Sequence, residues 1–298
     1  MVPGGYAWWY LDALSDDGQH GLAIIVFLGS VFSPYYAWSG RRDPLDHCAV
    51  NAALYGPRDH LWAMTERGRR SLVRERRSLA IGASAISWDG SAFRIALDEI
   101  SVPLPRRIRG SVRVDPLGVN PEPFALDSRG RHLWRPIAPC ARVSVDFQAP
   151  DLRWSGKGYL DMNLGREPLE AGFHDWAWSR AVLDDGAAIL YDAKRRDDAP
   201  LSLALRFDKS GRYERADAPR RAKLPLTRWR LPRATRSQDG EAAIVRELED
   251  APFYSRSLVS NRLFGAPALC MHESLSLDRF RNPIVRLMLP FRMPRRAN

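Results

Sequence analysis

Apolar residues arrive along this chain in strand-length bursts: "AIIVFL", "SLAIGASAISW", "FRIALDEISV", "ARVSVDF", "AAILYDA" and "LSLALRF". Turn signals separate them, at "SDDGQHG" (15–21), "WDGS" (88–91), "DSRGR" (127–131), "LDDGA" (183–187) and "DKSGR" (208–212). Asp-Gly and related pairs between apolar runs mark hairpins, because these residues tolerate the positive φ that a tight turn demands. The 22 prolines leave little room for long helices. The pattern predicts an all-β, mainly antiparallel protein, with a helical turn or long loop over 66–77. "GLAIIVFLGSVF" (21–32) predicts a buried strand, since it is well short of the ~18–20 apolar residues of a membrane span and holds two glycines and a serine.

The pattern repeats once. "WWYLDALSDDGQHGLAIIVF" runs from paired tryptophans through Asp-Asp-Gly into an apolar strand, and "WAWSRAVLDDGAAILYDA" does the same. The two glycines, Gly18 and Gly186, are 168 residues apart. This predicts two tandem β domains, 1–168 and 169–298, meeting near "GREPLEAG" (165–172). Each is the size of a small antiparallel barrel or sandwich, whose interior can hold one apolar ligand.

"GKGYLDMNLG" (156–165) is a strand whose two faces differ in kind. Side chains alternate, so Leu160, Met162 and Leu164 share one face while Tyr159, Asp161 and Asn163 share the other. Facing water, the second set is ordinary surface. Facing an apolar interior, Asp161 is an acid held between a phenol and an amide, with Gly156, Gly158 and Gly165 permitting close approach. "RHLWRP" (131–136) likewise puts His132 and Trp134 on one face. Aromatic residues concentrate around these segments and near the start, in "SVFSPYYAW" with Tyr36 and Trp38, and in "FHDWAW" with His174 and Trp176. Such rings build cores, or line a site for a long polyene or a cation.

Composition narrows the function. The chain of 298 residues is 45% hydrophobic and 27% charged, as a globular protein should be. The start, "MVPGGYAWWY", has no basic stretch before an apolar one, so no signal peptide is expected. Cys48, Cys140 and Cys270 are isolated, which predicts small buried hydrophobes in a reducing, cytoplasmic setting. No HExxH, GxSxG, Walker or dinucleotide pattern occurs, so no metal or cofactor is expected, and catalysis would rest on acid–base chemistry by unaided side chains. The net charge of +10 is uneven: 66–77 carries six arginines, and 279–298 carries six with no acid. The second run interleaves with Ile284, Val285, Leu287, Met288, Leu289 and Phe291, which suits a lipid headgroup boundary better than a phosphate groove. No nucleic-acid-binding motif is present.

Several long blocks carry a resemblance. "PGGYAWWYLDALSDDGQHGLAIIVFLGSVFSPYYAW", "DHCAVNAALYG", "WAMTERG", "GYLDMNLG" and "FHDWAWSRA" are similar to the carotenoid 1,2-hydratase (hydroxyneurosporene synthase) family, from residue 3 to about 193. The resemblance implies tandem lipocalin-like β-barrels. It also implies cofactor-free addition of water across the terminal C1–C2 double bond of an acyclic carotenoid such as neurosporene or lycopene, giving a tertiary alcohol. It maps a His-x-Trp pair onto His132 and Trp134, and a Tyr-x-Asp pair onto Tyr159 and Asp161. In that scheme Asp161 is the proton donor, Trp134 and Tyr159 stabilise the cation, and His132 handles water. Asn163, Trp176, His174, Trp38 and Tyr36 are expected to line the substrate. The expected partners are the carotenoid, the cytoplasmic face of the inner or photosynthetic membrane, and other enzymes of the carotenoid pathway, with no nucleic acid. The residues by themselves leave a cyclase or pericyclase of the same fold, and a non-catalytic carrier, as alternatives.

Overall fold

The computed structural model describes residues 1–57 and 59–296. It divides into two compact units, the first comprising Met1–Phe124, Arg131–Pro168 and the tail from Leu287, the second Ala125–Gly130 and Leu169–Arg286. The change near residue 168 falls within "GREPLEAG". The tail, unlike the rest of 169–298, groups with the first unit.

In the first unit one long sheet follows the order Arg295–Arg296, His60–Arg67, Cys48–Tyr55, Gly21–Leu28, Tyr6–Ser15, Asp151–Gly165, His132–Ala149, Arg107–Pro116, Phe93–Ile100, Ser84–Trp88, Ser78–Ile81, Leu72–Arg74. The tail strand lies parallel to His60–Arg67, whereas the hairpin-connected strands are antiparallel. One face of this sheet supplies the core: Ala7, Leu11, Leu22, Ile24, Val26, Val50, Ile95, Val112, Val143 and Leu160 are among its members. The buried strand expected over 21–32 is there as Gly21–Leu28, buried along its whole length, but it ends at Leu28 because Gly29 turns the chain at φ +64°.

The second unit has a seven-stranded sheet ordered Tyr213–Arg215, Leu201–Asp208, Gly186–Arg195, Phe173–Val182, Ala266–Ser276, Tyr254–Leu263, Ala243–Asp250, with a separate pair, Arg220–Leu224 and Arg233–Ser237. The echo in the sequence is an echo in topology. Tyr6–Ser15 and Phe173–Val182 each pair on one side with the next strand through an Asp-Asp-Gly hairpin. On the other side each pairs with a late strand of its own unit, Asp151–Gly165 or Ala266–Ser276. The second unit buries Phe173, Ile189, Leu205, Phe207, Val259 and Met271, and it also holds buried polar structure. His272 Nδ1 is 2.8 Å from the Ser179 hydroxyl and Nε2 is 3.0 Å from that of Ser274. Burial, then the positive charge of Arg233, pushes the His272 pKa down to about 3, so the ring is neutral.

Two further local expectations change. "SLAIGASAISW" is two strands, because Gly82 turns the chain at φ +64°. The region 66–77 has the helical turn expected of it, a 3-10 turn at Arg69–Ser71 between a strand that ends at Arg67 and one at Leu72–Arg74. Cys48 and Cys270 are buried, but Cys140 is only half-buried. Pro283–Met288, at six residues, is the longest helix among the described residues, and no helix there is long and apolar enough to cross a membrane.

Candidate active site

The strand Asp151–Gly165 lies between Tyr6–Ser15 and His132–Ala149, and the register decides which side chains meet. Leu160 belongs to the apolar core, with Met162 and Leu164 packed against it. Alternation then sends Tyr159, Asp161 and Asn163 to the opposite face, where all three are buried and Asp161 is 4% exposed. The face is therefore not ordinary surface. Nor does it point into the apolar core of its own sheet.

Around Asp161 the sheet aligns Tyr10 on one side and Pro136 on the other; Asn163 lies between Trp8 and Trp134, and Tyr159 opposite Asp12. Trp134 Nε1 donates to Asp161 Oδ2 at 2.8 Å, and the Tyr159 hydroxyl donates to the same oxygen at 2.8 Å. Trp134, Tyr159 and Asp161 thus form one connected group. Burial first, and then the neighbouring Asp161, raise the Tyr159 phenol well above its ordinary pKa, so Tyr159 stays protonated and donates to Asp161 Oδ2. Aromatic rings surround the group: Phe124 lies 5.3 Å from Trp134, Tyr10 6.3 Å from Tyr159, and Trp8 between Tyr6 and Phe27 at 5.0 and 6.1 Å, centroid to centroid.

His132 is held elsewhere. It aligns with Gly165, four positions along its strand from Pro136, or roughly 13 Å of extended chain. Its Nδ1 is 2.8 Å from the Tyr6 hydroxyl and its Nε2 3.0 Å from Glu167 Oε1, while Glu167 also pairs with Arg131 at 2.7 Å. With both ring nitrogens engaged, the expected role as a base beside Asp161 does not fit; an anchoring role does. Gly165 makes the anchor feasible, since a Cβ there would lie 2.1 Å from the Tyr6 ring. Gly158 similarly admits Val143 and the backbone of Asp12. These glycines serve strand packing rather than ligand approach.

The other expected lining residues each have contacts of their own. The Tyr36 hydroxyl donates to the Gly5 carbonyl at 2.9 Å and its ring packs on His47, whereas Trp38 is half-exposed at the end of a short helix, edge-on to Tyr35. His174 and Trp176 belong to the second unit. His174 Nδ1 lies 2.8 Å from Asp278 and 3.0 Å from Arg196, and Trp176 packs on Phe173 and Tyr191. Asn163 shares the face of Asp161. Tyr6, Tyr10, Asp12, Phe124 and Glu167 join the neighbourhood without having been singled out as site residues. For Tyr6, Tyr10 and Asp12 the signal was the two-residue period of "YAWWYLD", which puts Tyr6, Trp8, Tyr10 and Asp12 on one side.

A family model described as carotenoid hydratase CrtC matches residues 24–298. The chain is 57% identical to an acyclic carotenoid 1,2-hydratase of Thiocapsa roseopersicina over 99% of its own length and 74% of that protein. It is 42% identical to one of Cereibacter sphaeroides, over 92% and 98%. Among solved structures, a protein assigned as AttH from Nitrosomonas europaea superposes with a TM-score of 0.59 at 18% identity, covering 91% of this chain and 92% of that one. CghA bound to Sch210972 superposes with a TM-score of 0.56 at 15% identity, covering 92% and 89%. Those two likenesses concern the fold, which is lipocalin-like.

Proposed function

The chain belongs to the carotenoid hydratase family, and on that footing we propose that it adds water to the terminal C1–C2 double bond of an acyclic carotenoid, with Asp161 as the acid. The observation that carries the mechanism is the convergence of Trp134 and Tyr159 on one carboxyl oxygen. An isolated alkene is a very weak base, so hydration has to begin with a well-aimed proton donor. With two donors on Oδ2, that oxygen takes the carbonyl role and the acidic proton sits on Oδ1. Delivery to C2 leaves a tertiary cation at C1 and a carboxylate on Asp161. The same two hydrogen bonds strengthen as charge develops on Oδ2, which lowers the barrier where it counts.

The faces of Trp134, Tyr159 and Tyr10 stabilise the cation, each contact being worth roughly 0.5–2 kcal/mol once water is excluded. Water then bonds to C1, and the Asp161 carboxylate takes the proton that this water sheds. The acid is restored and atoms and charge balance. No cofactor enters this scheme. His132 acts at a distance, by fixing the strand Tyr6–Ser15 against its neighbours. Because the substrate is a water-insoluble hydrocarbon, peripheral contact with the cytoplasmic face of a carotenoid-bearing membrane is part of the same proposal.

The test is incubation of the purified chain with lycopene or neurosporene in H₂¹⁸O, with products read by mass. A monohydroxy carotenoid carrying the label supports hydration. Recovery of unchanged carotenoid bound to the protein would instead make it a carrier, and an isomeric product without oxygen would make it a cyclase.

A further inference from the structure

The tail combines arginines and apolar residues, and the structure separates their fates. Arg279 donates to the carbonyls of Trp229 and Arg230, both at 2.8 Å. Arg286 pairs with Glu170 at 3.0 Å and lies over the Phe280 ring. Arg292 stacks 4.3 Å above Trp62, and Arg295 is bound by Asp46 and Glu66. Four of the six tail arginines are therefore engaged with the protein itself. Four of the apolar residues are left outside: Ile284 is 69% exposed, Leu287 62%, Met288 37% and Phe291 83%.

These four positions are spaced i, i+3, i+4, i+7 across the helix Pro283–Met288 and the 3-10 turn Leu289–Phe291 that continues it, so they form one stripe. On the other side Leu289 and Met293 are buried and fix the segment in place. We propose that this stripe inserts into the headgroup–acyl boundary of a lipid bilayer, and that it, rather than the arginine charge, holds the protein at the membrane. The proposal rests on the membrane contact inferred above and specifies how that contact is made.

A second copy of the chain is the poorer occupant. At about 200 Å² for a fully exposed large side chain, the stripe offers on the order of 500 Å², against roughly 800 Å² per partner in a stable dimer. A bilayer needs no matching partner surface, and interfacial segments of this kind bind through buried apolar area. The stretch 279–298 contains no acidic residue, so nothing in it opposes an anionic leaflet.

The experiment is flotation of the full chain with vesicles of pure phosphatidylcholine, and of phosphatidylcholine doped with phosphatidylglycerol, at low and high salt. Wild type should bind both kinds and keep most of its binding in high salt. Leu287→Ser/Phe291→Ser should lose at least about tenfold on both, the expected result of removing two large apolar anchors. Ile284→Ser/Met288→Ser should lose less, and Arg281→Ala should matter little on neutral vesicles. Turnover of detergent-dispersed carotenoid should stay at wild-type level in these variants, which shows that they fold. If wild type binds vesicles and both apolar variants bind as well, the stripe is wrong while membrane contact stands. If wild type binds no vesicle of either kind, both fall. Failure to bind vesicles, with a dimer that the apolar variants dissolve, would assign the stripe to self-association and overturn the proposal.

Discussion

Tyr6 and His132 meet across a residue that has no side chain: both align with Gly165 from opposite sides, and the phenol reaches Nδ1 at 2.8 Å over the bare backbone. Any side chain at 165 would evict the Tyr6 ring. Tyr6→Phe and His132→Gln should each lower stability by about 1 kcal/mol, and the double variant should cost clearly less than their sum, because a single bond is lost. Urea unfolding of the four proteins measures the coupling. Strict additivity would mean that the contact contributes nothing.

Asp161→Asn keeps the shape of the side chain but removes the transferable proton. Hydration should fall at least ~10²-fold, with the far-ultraviolet spectrum and carotenoid binding retained. Trp134→Phe should be milder, since a ring remains to face the cation. It also deletes one donor to the carboxylate, which favours the protonated acid, so the descending limb of the pH–rate profile should move to higher pH. A Trp134→Phe enzyme with wild-type pH dependence would remove the hydrogen bond from the mechanism.

His272 should make the protein acid-labile. Its folded pKa is depressed from 6.5 to about 3, so between those values the unfolded chain binds a proton that the folded chain refuses. Stability is therefore lost as pH falls through this window, by up to about 1.4 kcal/mol per pH unit. His272→Gln, which can still bond to Ser179 and Ser274, should flatten the slope of urea midpoints measured from neutral pH to about pH 5. An unchanged slope would mean that other groups control the acid limb.

Arg295→Ala should loosen the first unit. Glu66 is buried, and Arg295 and His47 both contact its Oε1. Removing the guanidinium leaves an undercompensated buried carboxylate, at a cost of about 3 kcal/mol. Glu66→Gln/Arg295→Ala should recover part of that loss in thermal unfolding. No recovery would show that the strand pairing matters more than the charge.

What could be read from the sequence was local. Asp-Asp-Gly marked the opening hairpin of each unit, and two-residue alternation put Tyr159 with Asp161 and His132 with Trp134. The turn at Gly82 escaped notice because "IGAS" lacks an Asp-Gly or Asn-Gly signature. The larger gap was in partnerships: Tyr6 lies 126 residues from His132, and Arg295 lies 229 from Glu66. Strand order creates those contacts, and strand order is decided by the whole sheet. Periodicity could tell that Asp161 and Leu160 face opposite ways, but not that the apolar side would be the core and the polar side would be buried too. The tail's arginines illustrate the same limit, since their number was visible but their engagement with Glu170, Trp62 and Glu66 was not.

The strand Tyr6–Ser15 pairs with Gly21–Leu28, which follows at once, and with Asp151–Gly165, which is synthesised far later. On a translating ribosome its second edge therefore stays open while well over a hundred residues are added, and the acidic side of the site cannot assemble until that gap is filled. His60–Arg67 waits longer still for its parallel neighbour. Contacts of such sequence separation form slowly and leave sticky edges exposed in the meantime. For a nascent chain whose early segments include "GLAIIVFL", expression at low temperature or with a holdase chaperone should decide how much protein reaches the native sheet.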